Sequence, residues 1–335
     1  MKKLLIVGAG ISGLAAGVYA ARSGFDVTIL EQHFTFGGLS TSWSRKGYYF
    51  EGGMHWLTGS KPGLPMNRVW NELGALRDNN PIENRDPLYT LIDGDKRLPL
   101  YRYEKQMRKA LLDYAPEDKK TINKMCNAVK SFSSFFMPVS DLRGCKCKTP
   151  IHTKFTDAIK MLPAILKVPY LLKTKYMDYI NKFKNKNLRC ILESVIGYRY
   201  NALSFIYTLG SFAQGDCGYP HGGSVLMGKN ILDKYTELGG KIQYRTEVKE
   251  VVVEDGKTKG VMTKDGFIES DYVIVTQDAK VACDTLFKKP LKSKPLTYIR
   301  NEVEGEQNMF ICLGVKKDLS NYPLTCVIPL EKPFT

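Results

Sequence analysis

The first 38 residues constrain this chain more than any other stretch, because strand, glycine turn, helix, second strand and acid follow in register. Lys3 to Val7 (KLLIV) is short and almost wholly apolar, as expected of a parallel strand buried on both faces. It leads straight into Gly8-Ala9-Gly10-Ile11-Ser12-Gly13, a G-x-G-x-x-G turn. Gly8 permits the tight strand-to-helix turn, Gly10 lets the backbone approach a pyrophosphate, and Gly13 lets the next helix pack close to the strand. The pattern predicts a helix from Ile11 to Ser23, ended by Gly24, with its N-terminal N–H groups and positive dipole end directed at phosphate. Asp26 to Leu30 reads as the second strand. Glu31 at its tip is placed to accept hydrogen bonds from both hydroxyls of an adenosine ribose. A glycine-rich turn alone is weak evidence; the whole unit predicts a bound dinucleotide. Met1-Lys2-Lys3 and the apolar run after it imitate a secretory signal, but glycines at motif spacing and the strand-plus-acid continuation argue against that.

At 335 residues the chain is long enough for two domains and a full-sized core. It has no run of about 18 apolar residues, so no membrane-spanning helix is expected. Eight cysteines are scattered without a C-x-x-C pair and four histidines lie far apart, so no zinc-type spacing and no metal are expected. Free thiols point to a reducing, cytoplasmic setting. The net charge of +15 is partly concentrated: from Arg143 to Arg189, twelve Lys/Arg stand against only Asp157 and Asp178. Phe155, Ile159, Met161, Leu162, Ile165, Leu166, Val168, Tyr170, Leu171 and Leu172 are interleaved among them. Such a stretch can lie on an anionic membrane surface, giving a peripheral position on the inner face of the membrane. It can equally be a helical subdomain with a solvated basic face. Pro163 and Pro169 are expected to break it into short helices. No nucleic-acid module accompanies the charge, so no nucleic-acid partner is expected.

After Glu31 and Gln32 comes a loop, His33 to Gly38, with a second glycine pair. Tyr48 to Trp56 reads as strand then loop, and Leu88 to Leu100 as a hairpin turning at Asp93-Gly94-Asp95. From about Glu104 to Leu209 the pattern is helical. At Gly218-Tyr219-Pro220-His221-Gly222-Gly223 the character changes, and a helix from Ser224 to Leu238 follows, closed by Gly239-Gly240. Strands are expected at Lys241–Tyr244, Glu247–Glu254, Gly260–Thr263 and Tyr272–Thr276, suited to extending the first sheet. The fold class is therefore α/β: a Rossmann-type domain from residues 1–64 and 218–282, with parallel sheet and flanking helices. An α+β substrate domain with a helical subdomain takes residues 65–217 and 283–335. No second G-x-G-x-x-G occurs, so one dinucleotide is expected.

The N-terminal unit alone does not separate NAD from FAD. Gly37-Gly38, six residues past Glu31, offers a second close backbone approach that suits the longer FAD. At this point the chain resembles the FAD-dependent amine oxidase and phytoene desaturase superfamily, above all its phytoene dehydrogenase, carotenoid isomerase and retinol saturase-like branch. The resemblance is carried by Val7 to Gly38, by Gly47 to Gly59 (GYYFEGGMHWLTG), by Gly218 to Val251 and by Lys259 to Ala279. It implies that Gly8, Gly10, Ile11, Ser12 and Gly13 hold the pyrophosphate and that Glu31, with Gln32 beside it, serves the adenosine ribose. Gly37, Gly38 and Leu39 would flank the ribityl-phosphate region, and Gly53, Met54 and His55 the isoalloxazine ring. Val248 would present its backbone to the adenine edge. Two departures matter. Many relatives carry Arg where this chain has Leu39, and relatives return at their C-terminus with a glycine-rich segment that caps the flavin. This chain stops at Pro333-Phe334-Thr335, so it is expected to be C-terminally incomplete.

If FAD binds, the implied chemistry is hydride transfer between flavin N5 and a carbon of a lipophilic, isoprenoid- or carotenoid-like substrate. His55 is the one titratable side chain in a segment placed near the ring, as acid/base or as a structural histidine; no residue is assigned firmly to catalysis. Phe132, Phe135, Phe136 and Met137 either line a lipophilic pocket or are plain core. An amine oxidase-like flavoenzyme is a second reading. A third is a non-catalytic fragment or half-subunit that needs a complementing C-terminal chain to complete the flavin site; a homo-oligomer is a further partner reading.

Overall fold

Alternation along β1 (Lys3–Val7) divides one strand between two apolar cores, since successive side chains leave a strand on opposite faces. Leu4 and Ile6 point into one cluster, Leu5 and Val7 into another. The computed structural model describes residues 1–136, 139, 155–303 and 311–329. Within it β1 pairs in parallel with Tyr272–Val275 on one side and with β2 (Asp26–Leu30) on the other; Lys241–Gln243 continues the sheet in parallel beyond β2.

One face of this sheet is covered by helix α1 (Ile11–Arg22) and the helix Gly223–Glu237. Gly17 permits their close packing, because a Cβ there would lie 2.9 Å from the Tyr235 ring. The Tyr235 hydroxyl sits 2.9 Å from Val27 O and 2.7 Å from Lys241 O, tying the helix to two neighbouring strands. The other face carries an antiparallel meander of Val248–Glu254, Lys257–Thr263 and Gly266–Glu269. Of the late strands, then, only Lys241–Gln243 and Tyr272–Val275 extend the parallel sheet. The valines of the meander instead build a second layer, with Val248, Val251 and Val261 against Leu5, Val7 and Leu30.

The second part joins a sheet to helices. The hairpin Tyr89–Asp93 and Lys96–Leu100 takes Cys326–Val327 in parallel at its edge. Helices Glu104–Tyr114, Lys119–Phe132, Lys186–Glu193 and Ala202–Gln214 enclose a large core that includes Leu91, Leu111, Phe132, Leu192 and Phe205. The fold is thus a Rossmann-type α/β unit with an α+β, largely helical second part.

Helix Pro65–Glu72, with Leu73 and Ala75, packs into the core between the sheet and its helices. Leu286 and Phe287 likewise close the core beneath the meander. Pro163 does not break its helix, which runs Phe155–Ile165 with the proline inside. Pro163 lies on the exposed side, where water can serve the carbonyl its ring leaves without a donor. Pro169 does start a new helix, Val168–Lys173. Met137, Cys145, Cys147 and the basic segment from residue 143 to 154 lie outside the described residues, as does the side chain of Phe155.

Candidate functional site

The glycine turn lies at the C-terminal ends of β1 and β2, where open parallel sheets take ligands. Gly8 has φ +102°, and a Cβ on Gly13 would lie 1.9 Å from Gly8 O, so both positions demand glycine for the fold itself. Gly10 differs: its backbone (φ −67°, ψ 174°) suits any L-residue, and no heavy atom lies within 4 Å of where its Cβ would stand. Glycine there keeps a space open that the fold leaves free. The start of α1 at Ile11, Ser12 and Gly13 borders that space with no side-chain cap and no acid in its first turn, which suits an anionic guest.

Gly37 and Gly38 complete the cradle. The Gly37 N–H donates to Ala9 O at 2.9 Å, and Gly37 bridges Gly10 in parallel. Gly38, at φ +59°, comes so near that a Cβ would lie 3.2 Å from Gly10 Cα. Glu31 is buried. Its Oε2 accepts the Ala9 N–H at 2.7 Å and its Oε1 the His33 N–H at 2.9 Å, so the acid also pins the glycine turn. Each carboxylate oxygen retains acceptor capacity for a sugar hydroxyl. Gln32 is exposed beside it. The Thr246 N–H donates to Glu31 O at 2.8 Å, which brings the start of the meander, and the buried Val248, alongside the tip of β2. Leu39 is 98% exposed.

Met54, His55 and Trp56 pass from one core to the other. Met54 packs on the sheet's helix face, Trp56 on the helical core, and His55 stands exposed between them. His55 and Trp56 line two cavities. One, of about 450 Å³, runs along Tyr89, Val195, Ile196 and Tyr200; the other, of about 100 Å³, reaches Arg85, Arg102 and Tyr219. Phe132 is fully buried in the helical core with Phe135 against it, ring centroids 5.4 Å apart, and so serves as core.

Two groups at the site escaped sequence reasoning. Glu51 ends the strand Tyr48–Glu51 and accepts the Ser224 N–H at 3.1 Å and the Ser224 hydroxyl, capping the helix Gly223–Glu237. Arg102 is 1% exposed and donates to Phe212 O at 3.1 Å, Asp216 O at 2.7 Å and Arg85 O at 3.0 Å. Burial pulls its pKa below the ordinary arginine value. The buried Asp216 carboxylate in turn accepts the N–H groups of Gly59 and Lys61 and the Ser60 hydroxyl. Together they fix the loop that follows Trp56. Neither signal was local, since Ser224 for Glu51, and Phe212 and Asp216 for Arg102, lie more than 100 residues away in sequence.

Comparison with known proteins agrees with this geometry. Residues 6–73 match the NAD(P)-binding Rossmann-like domain family. The 4,4'-diapophytoene desaturase (4,4'-diapolycopene-forming) of Methylomonas sp is 25% identical over 303 residues, covering 88% of this chain and 57% of that protein. The chloroplastic prolycopene isomerase of Daucus carota is 25% identical over 332 residues, covering 94% and 52%. The all-trans-retinol 13,14-reductase of Homo sapiens is 23% identical over 347 residues, covering 94% and 54%. The chain therefore spans about half the length of the curated relatives it matches. Among solved structures, an oxidoreductase from Methanosarcina mazei superposes with TM-score 0.54 at 18% identity, over 85% of this chain and 61% of that one. Putrescine oxidase bound to putrescine gives TM-score 0.55 at 15% identity, over 89% and 62%, a likeness of fold. Desaturase, isomerase and retinol reductase sequences thus align along most of this chain, which is similar to proteins of the FAD-dependent amine oxidase and phytoene desaturase superfamily.

Proposed function

We propose that this chain acts as an FAD-dependent oxidoreductase of the phytoene desaturase-like type on a lipophilic, isoprenoid- or carotenoid-like substrate. The observation that carries this reading is the second glycine pair, Gly37-Gly38, folded directly against Gly10. It extends the phosphate cradle past the turn, toward the length of FAD. The residues fit that group: Gly10 leaves the space, α1 faces phosphate, Glu31 takes the ribose hydroxyls, and Val248 borders the adenine side. FAD held there would supply hydride transfer with a substrate carbon. The chain's own residues bind and orient. Trp56, Tyr89, Val195 and Ile196 offer an apolar wall that positions a long hydrocarbon and excludes water. His55, which lines both cavities, is the side chain that would hold or move a proton.

An absorption spectrum of the purified protein, with identification of any cofactor released on denaturation, tests the reading. Bands near roughly 370 and 450 nm with release of FAD are expected. A colourless protein that also fails to take up added FAD would overturn the claim for this chain on its own. A second reading, in which another polypeptide or a second copy completes the flavin site, draws on one observation. Ile311, Leu313, Leu324 and Ile328 are 72%, 79%, 76% and 66% exposed, large apolar side chains of the kind a partner covers. Tight FAD binding by the isolated monomer sinks that second reading.

A further inference from the structure

The helix Phe155–Ile165 turns aliphatic side chains outward. Ile159, Leu162 and Leu166 are 58%, 51% and 74% exposed at the i, i+3, i+7 spacing of one face, while Met161 and Ala164 on the opposite side are buried. Tyr170 and Leu172, 57% and 54% exposed, continue the patch onto the helix Val168–Lys173. Lys160 and Lys173 flank it in the open. A row of large exposed aliphatics bordered by lysines marks an interaction surface.

Beside this patch lies a cavity of about 270 Å³ whose lining includes Thr121, Leu171 and Tyr179. Three ammonium groups, Lys124, Lys167 and Lys182, line it, and among the described residues no carboxylate does. Lys182 Nζ donates to the Tyr170 hydroxyl at 2.7 Å and lies 5.5 Å over the Tyr179 ring; Lys167 Nζ donates to Pro163 O at 2.8 Å. Among the described residues none of the three forms a salt bridge. Tyr170 belongs both to the exposed patch and to the cavity lining, so the cavity opens where the aliphatic face ends.

We infer that this face docks on an anionic membrane, its aliphatic row entering the acyl boundary while the cavity bounded by Lys124, Lys167 and Lys182 holds a phospholipid headgroup phosphate. Aliphatic contact next to concentrated positive charge matches a phospholipid, in which acyl chain and phosphate are joined, better than it matches nucleic acid, which offers no hydrocarbon. The inference stands apart from the flavin reading, because docking needs no cofactor.

Flotation of the full chain with two vesicle preparations tests it, one of phosphatidylcholine alone and one with phosphatidylglycerol added. Binding to the anionic vesicles that weakens with added salt is expected. The double variant Lys124→Gln/Lys182→Gln should bind those vesicles roughly thirtyfold more weakly, each lost lysine leaving about a fifth of the affinity. Leu162→Ser/Leu166→Ser should also lose binding, while both variants, changed at exposed positions, keep the parent's thermal unfolding. Equal binding to both vesicle types, or lysine variants that bind as the parent does, would overturn the headgroup site. Absence of flotation at low salt would overturn the docking face as a whole.

Discussion

Gly10 and Gly13 stand three residues apart in one motif, yet they are glycine for different reasons. A methyl at Gly13 would press to 1.9 Å from Gly8 O, whereas a side chain at Gly10 meets only open space. Gly13→Ala should therefore destabilise the fold, by about 1–3 kcal/mol for overpacking of this kind. Gly10→Val should leave stability within about 0.5 kcal/mol, as an unstrained substitution into space does, while FAD uptake falls at least roughly tenfold. Thermal unfolding and flavin titration of the pair separate the two roles. Wild-type flavin affinity in Gly10→Val would mean that the phosphate does not sit in this cradle. The cysteines allow a second contrast at this scale. Burial pushes the Cys126 and Cys217 thiols up to about 12, and Cys326 is exposed. Since the thiolate is the nucleophile, iodoacetamide at neutral pH should label Cys326 in the native protein and reach Cys126 and Cys217 only after unfolding. Peptide mass mapping reads the outcome, and rapid native labelling of Cys217 would contradict its packing.

Elements whose causes are local could be read from the chain, and those joined across it could not. The strand, turn, helix, strand and acid of residues 3–31 are held by neighbours within the same stretch: Gly8 N–H to Leu30 O, Leu14 N–H to Gly10 O, Ala9 N–H to Glu31. The hairpin at Asp93-Gly94-Asp95 and the cap at Gly239 follow from turn chemistry of the same short range. Helix Gly223–Glu237 is different, because its N-terminus is capped by Glu51, 173 residues earlier. A carboxylate there satisfies an orphan N–H and meets the positive end of the helix dipole. No pattern around Ser224 announces it. Glu51→Ala should lower unfolding stability by about 1–2 kcal/mol, the loss of a charged cap, measured as a drop in urea midpoint without a change in slope. An unchanged midpoint would show that water replaces the carboxylate at no cost. The meander failed to join the parallel sheet for a related reason: alternating valines fix which face is buried but not which layer supplies the cover.

At the scale of the molecule, sequence patterns announce kinds of element but not the core that each one serves. Glycine motifs announce the sheet and amphipathic periods announce the helices, but helix Pro65–Glu72 carries the same period whichever core it serves. Only Leu73 and Ala75 lying against the sheet's core decide the matter. The two cores differ in chemistry as well. The helical core buries Cys126, Tyr176, Tyr179 and Cys217, whose pKa values are all raised by burial, whereas the sheet's helix face buries Tyr235 alone of such groups. Each is neutral when protonated. As pH climbs past the unfolded values, about 8.5 for Cys and 10 for Tyr, the unfolded chain releases protons that the folded chain keeps. The folded state then binds more protons than the unfolded one, so stability is whole below that window and falls as pH rises through it. Urea unfolding followed by far-ultraviolet circular dichroism should therefore give a lower midpoint at about pH 10 than at about pH 8. With four of the five groups in the helical core, the loss should fall mainly on the helical signal. Equal midpoints at the two pH values would mean that these thiols and phenols are hydrated in the folded protein, and the tight helical core would have to be given up.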